Sequence, residues 1–258
     1  MVVDNSKYSK EIELADEGAN DFESSGFDTS TASLSSSINE YIMENGRLYH
    51  AYFGTDKNLM PTDEKEQDRL DMHHEIMSGI MGGKIYMAPL EHPARILDIG
   101  TGTGIWAIDM ADRFPDAEVI GTDLSRNVSQ AVGNWPKVMS EMYRCTKPGG
   151  YCELAELGID LFSDDNTIGP NFAEWVALLC EALKKMNRPQ ATAEALKQHL
   201  EEAGFVDVEV VTEKQPFGLW PKEKHMKTVG VMVMLNAEAG AEAYIWNGTV
   251  YYGSWNGG

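Results

Sequence analysis

Apolar residues recur along this chain in two periods, and the periods delimit its elements. Behind Pro61, the positions Leu70, Met77, Ile80 and Met81 repeat at helical spacing, opened by a capping-box pair, Asp63 and Glu66, and closed by Gly82 and Gly83. This predicts a helix. His73 and His74 fall inside its stripe, so at least one faces the interior, and a packed, hydrogen-bonded histidine is preferred there over a catalytic base. Upstream, INEYIMENGRLYHAYF sets aromatic and aliphatic residues at mixed helical spacing and marks where order begins, near Ile38. Ile96, Leu97 and Ile99 make a short strand, IWAIDMADRF has helical periodicity, and AEVIGTD reads as a second strand ending in an acid. A helix is expected over Asn134 to Tyr143, then KPGG turns into the strand YCELAEL. Two more helices follow, Asn171 to Met186, with Phe172, Trp175, Val176, Leu179 and Leu183 on one face, and Thr192 to Ala203, closed by Gly204. The run FVDVEVV alternates with period two, as a half-buried strand does. Strands interleaved with helices predict an α/β fold with a parallel sheet.

The first 37 residues break this pattern. They hold eight acids and two lysines, and seven of the fourteen residues from Ser24 to Ser37 are Ser. Such a segment buries too little apolar area to offset the roughly 1–2 kcal/mol per residue that ordering costs, so residues 1–37 are expected to be a disordered tail. The chain as a whole has 41 acidic against 21 basic residues, a formal charge of −20. That balance repels phosphate backbones and anionic headgroups and argues against nucleic-acid binding. Cys145, Cys152 and Cys180 lack CxxC spacing, so neither a metal centre nor a dithiol is expected, and a reduced intracellular setting is. The start has no apolar stretch behind a basic one, and the longest apolar run, Val229 to Leu235, is too short to cross a bilayer.

The densest chemistry lies between the two predicted strands. Gly100, Gly102 and Gly104 form G-x-G-x-G directly after a strand: glycine permits a tight turn, close approach to a ligand, and close packing of the next helix. The helix that opens there offers unpaired N–H groups and the positive end of its dipole to an anion. Asp123 lies 19 residues past Gly104, at the tip of the second strand, where a carboxylate can accept both hydroxyls of a ribose. An adenosine-containing cofactor follows. Dinucleotide sites prefer G-x-G-x-x-G, which would put the third glycine at Ile105. Asp98, two residues before the turn, is placed to hold an ammonium group. The set fits S-adenosylmethionine better than NAD.

The segments ENGRLYHAYF, PTDEKEQDRLDMHHEIM, APLEHPARILDIGTGTGIWAIDMADRFPDAEVIGTDLS, NWPKVMSEMYRCTKPGGYCELAE and EEAGFVDVEVVTEKQPFGLWPKEKHMKTVG closely resemble the fungal LaeA-like family of S-adenosylmethionine-dependent methyltransferases. The resemblance covers most of residues 38–235. It implies a class I methyltransferase (Rossmann-like) fold, a mostly parallel sheet flanked by helices, with N-terminal lid helices over the cofactor. Carried over by motif, Asp98, Gly100, Thr101, Gly102 and Gly104 line the methionine end, Asp123 binds the ribose, and Tyr49 and Arg69 contribute to the lid. It further implies a small-molecule substrate of secondary metabolism, a possible regulatory protein partner, and a cytoplasmic or nuclear location.

Two departures from the family pattern stand out. Only 26 residues separate Asp123 from Gly149, where this fold needs a third strand, an adenine-contacting loop, a fourth strand and a helix, so about two strands are expected to be lacking after Ser125. The chain also closes with AEAYIWNGTVYYGSWNGG, in which Asn247-Gly248 signals a type I′ hairpin between YIW and TVYY, the alternative being a disordered or frame-altered tail over 236–258. The leading function is methyl transfer; a non-catalytic regulator or degenerate paralogue is the alternative, and an NAD-dependent reductase is disfavoured by the glycine spacing. No single catalytic residue is demanded: His50, His73 and His74 are weak candidates, and Asp164 and Asp165 read more readily as a solvated acidic loop than as substrate ligands.

Overall fold

The computed structural model describes residues 41–50, 60–123, 134–158, 161, 163, 168–185 and 192–251. The expected tail, 1–37, and the junction after Ser125 lie outside the described residues.

The first described segment corrects an expectation. Tyr41–Glu44 (β1) and Arg47–His50 (β2) form an antiparallel hairpin, not a lid helix, with Ile42 opposite Tyr49. Asn45 and Gly46 turn it at φ 49° and 77°, the pair of positive φ values that a type I′ turn requires. The hairpin is tied down by Arg47, whose Nε and Nη2 donate to the Asp63 carboxylate at 2.6 and 2.8 Å, and by the Thr62 N–H donating to the Leu48 carbonyl at 2.6 Å. The Arg47 guanidinium holds the Asp63 carboxyl below the usual carboxylate range.

Asp63 also caps Glu64–Ile80 (α1), accepting from the Glu66 N–H at 3.1 Å. Only that half of the expected capping box forms, because the Glu66 side chain is engaged by Arg69 at 2.7 and 3.0 Å. Glu66 is 1% exposed and Arg69 8%, so the pair is a buried one. Arg69 and the long last helix, Lys224–Tyr251 (α6), exchange hydrogen bonds: Arg69 Nη1 donates to Asn236 Oδ1 at 3.1 Å, and Asn236 Nδ2 to the Arg69 carbonyl at 2.7 Å. Below them Ile76, Val229 and Val233 form a buried cluster, flanked by Met72, Ile80, Met226 and Met232. The helices approach so closely that a Cβ on Gly79 would lie 2.7 Å from Val229 Cγ2.

The predicted strand, helix and strand form as Arg95–Ile99 (β3), Ile105–Arg113 (α2) and Glu118–Thr122 (β4), with β3 and β4 parallel and Leu97 level with Ile120. Among the described residues the sheet stops at these two strands. Tyr151–Leu157 and Phe205–Val211, expected as strands, make no ladder. A strand is stable only when its backbone groups find a partner strand, and neither segment has one among the described residues. Instead the Glu153 carboxylate accepts from the Met87 and Ala88 N–H groups at 2.9 Å each. One face of the sheet stays open to solvent: Leu97 is 50% exposed, Ile120 46% and Ile99 43%.

Three further helices form where periodicity placed them. Trp135–Cys145 (α3) starts at Asn134, which accepts from the Lys137 N–H at 3.1 Å; Pro170–Lys185 (α4) follows; and Ala193–Ala203 (α5) runs from Thr192 to Gly204 at φ 112°. In the α3–α5 layer Tyr143 meets Phe205 edge-on at 5.2 Å, and a Cβ on Gly204 would strike the Tyr143 ring at 2.8 Å. The hairpin expected at Asn247-Gly248 is overturned: α6 continues through both residues. Extending an existing helix adds one hydrogen bond per residue, whereas an isolated two-stranded hairpin is marginal in water.

Candidate functional site

The glycine turn between β3 and α2 takes the conformation its residues allow. Gly100, Gly102 and Gly104 have φ of 84°, 56° and 85°, a region that side-chain-bearing residues rarely adopt. The Gly100 and Thr101 N–H groups both donate to the Thr122 carbonyl, at 2.7 and 3.1 Å, locking the turn to the end of β4. The strands touch closely there, and a Cβ on Gly121 would lie 2.7 Å from Thr101 Oγ1. Gly104 caps α2 without a side-chain bond. The first-turn N–H groups of α2 and its positive dipole end therefore lie at the turn, an arrangement that favours an anion.

Asp123 and Asp98 converge on this turn. Asp123 Oδ2 accepts from the Gly102 N–H at 2.7 Å, so the acid at the second strand's tip and the turn form one unit. Asp98 is half-buried, and its carboxyl is pushed above the usual carboxylate range, first by burial and then by the charge of Asp123, while Thr101 and His74 act in the opposite sense. Asp98 Oδ2 and Thr101 Oγ1 are both buried at the turn, with the Thr101 hydroxyl facing the Asp98 carboxyl. A half-buried carboxylate beside an open glycine turn suits a polar, cation-bearing ligand. Apart from its own chain neighbours, nothing lies within 4 Å of where a Cβ on Gly104 would sit, which leaves the turn accessible. The residue types present fit S-adenosylmethionine: a half-buried acid beside the turn, free-ended helix N–H groups, and a second acid at the tip of β4.

Helix α1 supplies Asp71, which the sequence reading missed, and His74, which it named as a weak candidate. Thr103 Oγ1 donates to Asp71 Oδ1 at 2.5 Å, and His74 Nε2 lies 2.8 Å from Asp109 Oδ2 on α2. The signal available in the sequence was adjacency alone, Asp71 standing beside the histidine pair. His73 is mostly buried, which with the nearby Arg69 and His74 charges lowers its pKa to about 4. That keeps it neutral and makes it a poor base. Tyr49 and Arg69, the expected lid residues, are both buried, Tyr49 in β2 and Arg69 between α1 and α6. The His50 side chain, Asp164 and Asp165 lie outside the described residues. Past the turn, Glu156 is buried enough to raise its pKa to about 7, and burial raises Cys152 to about 11, so that thiol is not a nucleophile at neutral pH. Among the described residues no group of histidine, cysteine or acid side chains could hold a metal ion, and no helix is long and apolar enough to cross a membrane.

Comparison with known proteins gives the family. Two family models, each described as a methyltransferase domain, match residues 96–134 and 124–210, overlapping over 124–134. The methyltransferase pytC of Aspergillus terreus is 33% identical, over 84% of this chain and 78% of its own. The secondary metabolism regulator LAE1 of Cochliobolus heterostrophus is 32% identical, over 80% of each chain. The secondary metabolism regulator laeA of Aspergillus fumigatus is 32% identical, over 72% of this chain and 60% of its own. No solved structure matches the chain.

Proposed function

Because the chain belongs to the LaeA-like family of methyltransferase-domain proteins, we propose that it binds S-adenosylmethionine at the Asp98–Gly104 turn and methylates a small molecule of fungal secondary metabolism. The observation that carries this reading is the union of the left-handed glycine turn with Asp123 through the Gly102 N–H. When bound, the cofactor supplies an electrophilic sulfonium methyl. Asp98 holds the ammonium, and a cation beside it would return its raised pKa toward the ordinary value. Thr101 Oγ1 and the first N–H groups of α2 hold polar atoms of the same end, and Asp123 holds the ribose. Orientation of acceptor and methyl can contribute up to about 7–11 kcal/mol without a general base. A small-molecule acceptor and a regulatory protein partner belong to this reading, and nucleic acid and membrane do not.

The sheet, two-stranded among the described residues, supports a second reading, that this chain is a non-catalytic regulator or degenerate copy. Leu97, Ile99 and Ile120 are strand residues of core type left exposed, as the absence of a fourth strand and its helix would leave them. Calorimetry with S-adenosylmethionine separates the two readings. Micromolar binding, reduced by Asp123→Ala by about 2–3 kcal/mol, supports the cofactor site. No heat of binding by the parent chain refutes it. Grafting a relative's segment after Ser125 tests the sheet: a gain in soluble yield and methyl transfer marks the short junction as the cause of poor activity.

A further inference from the structure

Helix α1 clasps the glycine turn with one face while its other face is fixed in the core. Leu70, Asp71 and His74 fall on one side of the helix. Leu70 Cδ1 stands 3.7 Å from where a Cβ on Gly102 would sit, Asp71 accepts from Thr103 at 2.5 Å, and His74 pairs with Asp109 at 2.8 Å. Met72, Ile76 and Ile80, on the opposite stripe, pack with Val229 and Val233 of α6. Thr103 is the residue between the two left-handed glycines 102 and 104, and its hydroxyl also lies 3.5 Å from the Ile105 N–H that opens α2.

A turn with three glycines in five residues has more backbone freedom than one built of side-chain-bearing residues, and ordering it at the moment of binding weakens affinity. A charge-assisted bond from an anchored helix removes that freedom beforehand. We propose that Asp71, acting through the Thr103 hydroxyl, is a positioning residue that holds the turn in its ligand-ready shape. The inference rests on the cofactor reading above but concerns residues that need not touch the ligand. It also gives α1 a part in binding: the helix anchors the turn as well as covering it.

The experiment compares the full chain with Thr103→Val, Thr103→Ser, Asp71→Ala and the double variant Asp71→Ala/Thr103→Val. Affinity for S-adenosylhomocysteine is read by calorimetry, and amide hydrogen exchange over residues 98–106 is read in the ligand-free protein. Thr103→Val and Asp71→Ala should each weaken binding about tenfold, the scale of a hydrogen bond to a charged group. The double variant should be no worse than either single one, and Thr103→Ser should bind like the parent. Exchange at the turn should quicken in Thr103→Val and not in Thr103→Ser, with melting temperatures unchanged. Parental affinity in Thr103→Val, failure of Thr103→Ser to rescue, or losses that add in the double variant would overturn the proposal. If the parent binds no ligand, the cofactor reading fails by itself. Exchange then decides the positioning role, and equal exchange in Thr103→Val and parent refutes it.

Discussion

Two partly buried groups titrate with opposite effect on stability, and replacing one should unmask the other. His73 has a folded pKa of about 4 against an ordinary 6.5, and Glu156 one of about 7 against an ordinary 4.5. Below pH 6.5 the unfolded chain protonates His73 while the folded chain does not, so this contribution is full above 6.5 and lost as pH falls toward 4. Glu156 runs the other way. The unfolded carboxyl ionises near 4.5 while the folded one keeps its proton to about 7, so its contribution is full below 4.5 and lost as pH rises toward 7. Each displacement is equivalent to about 3 kcal/mol in total. Between pH 5 and 6.5 the two slopes oppose each other in the parent. Glu156→Gln removes the acid and keeps the shape. Its stability should climb by about 1.5 kcal/mol over the same interval, and at pH 7.5 it should exceed the parent by about 2–3 kcal/mol. His73→Gln should fall instead, by a similar amount. The assay is urea unfolding followed by tryptophan fluorescence at pH 5.0, 5.75, 6.5 and 7.5, clear of the isoelectric region near 4.6. Other titrating groups are common to parent and variant and drop out of the comparison. A Glu156→Gln curve parallel to the parent's would refute the burial assigned to that carboxyl.

Other substitutions probe the packing that carries the site. A Cβ at Gly230 would collide with the Gly218 carbonyl, so Gly230→Ala should cost about 1–3 kcal/mol as overpacking, measured as a lower urea midpoint; an unchanged midpoint would show that the loop before α6 is not seated on it. Arg69→Met should cost about 3–5 kcal/mol by leaving Glu66 buried without its counter-charge, and Glu66→Met/Arg69→Met should recover most of that loss in the same assay. Limited proteolysis should remove residues 1–37 without lowering the melting temperature of the remainder, and a cooperative loss on trimming would contradict their reading as a spacer.

Local signals determined most of the individual elements. Asp63 before α1, Asn134 before α3 and Thr192 before α5 each satisfy a backbone N–H at a helix start, a bond made within three residues and therefore legible without the fold. The glycine turn was legible for the same reason, since three glycines in five residues after a strand permit the left-handed φ that the turn adopts. Asp123 was legible because strand and helix lengths fix where an acid at a strand tip falls. The two Asn-Gly pairs show the limit of such reading. Asn45-Gly46 turns a hairpin because Arg47 and Leu48 are bound by Asp63 and Thr62, while Asn247-Gly248 is absorbed into a helix already formed. Tertiary structure alone decided that Tyr151–Leu157 and Phe205–Val211 make no ladder, because a strand exists only by its neighbour and neither has one among the described residues. It alone joined Asp71 to Thr103, and Arg69 to Asn236 across 167 positions of sequence, since no local pattern encodes which helix face meets which turn. The chemistry of the turn is written in its own residues, and packing against α1 decides how firmly that turn is held.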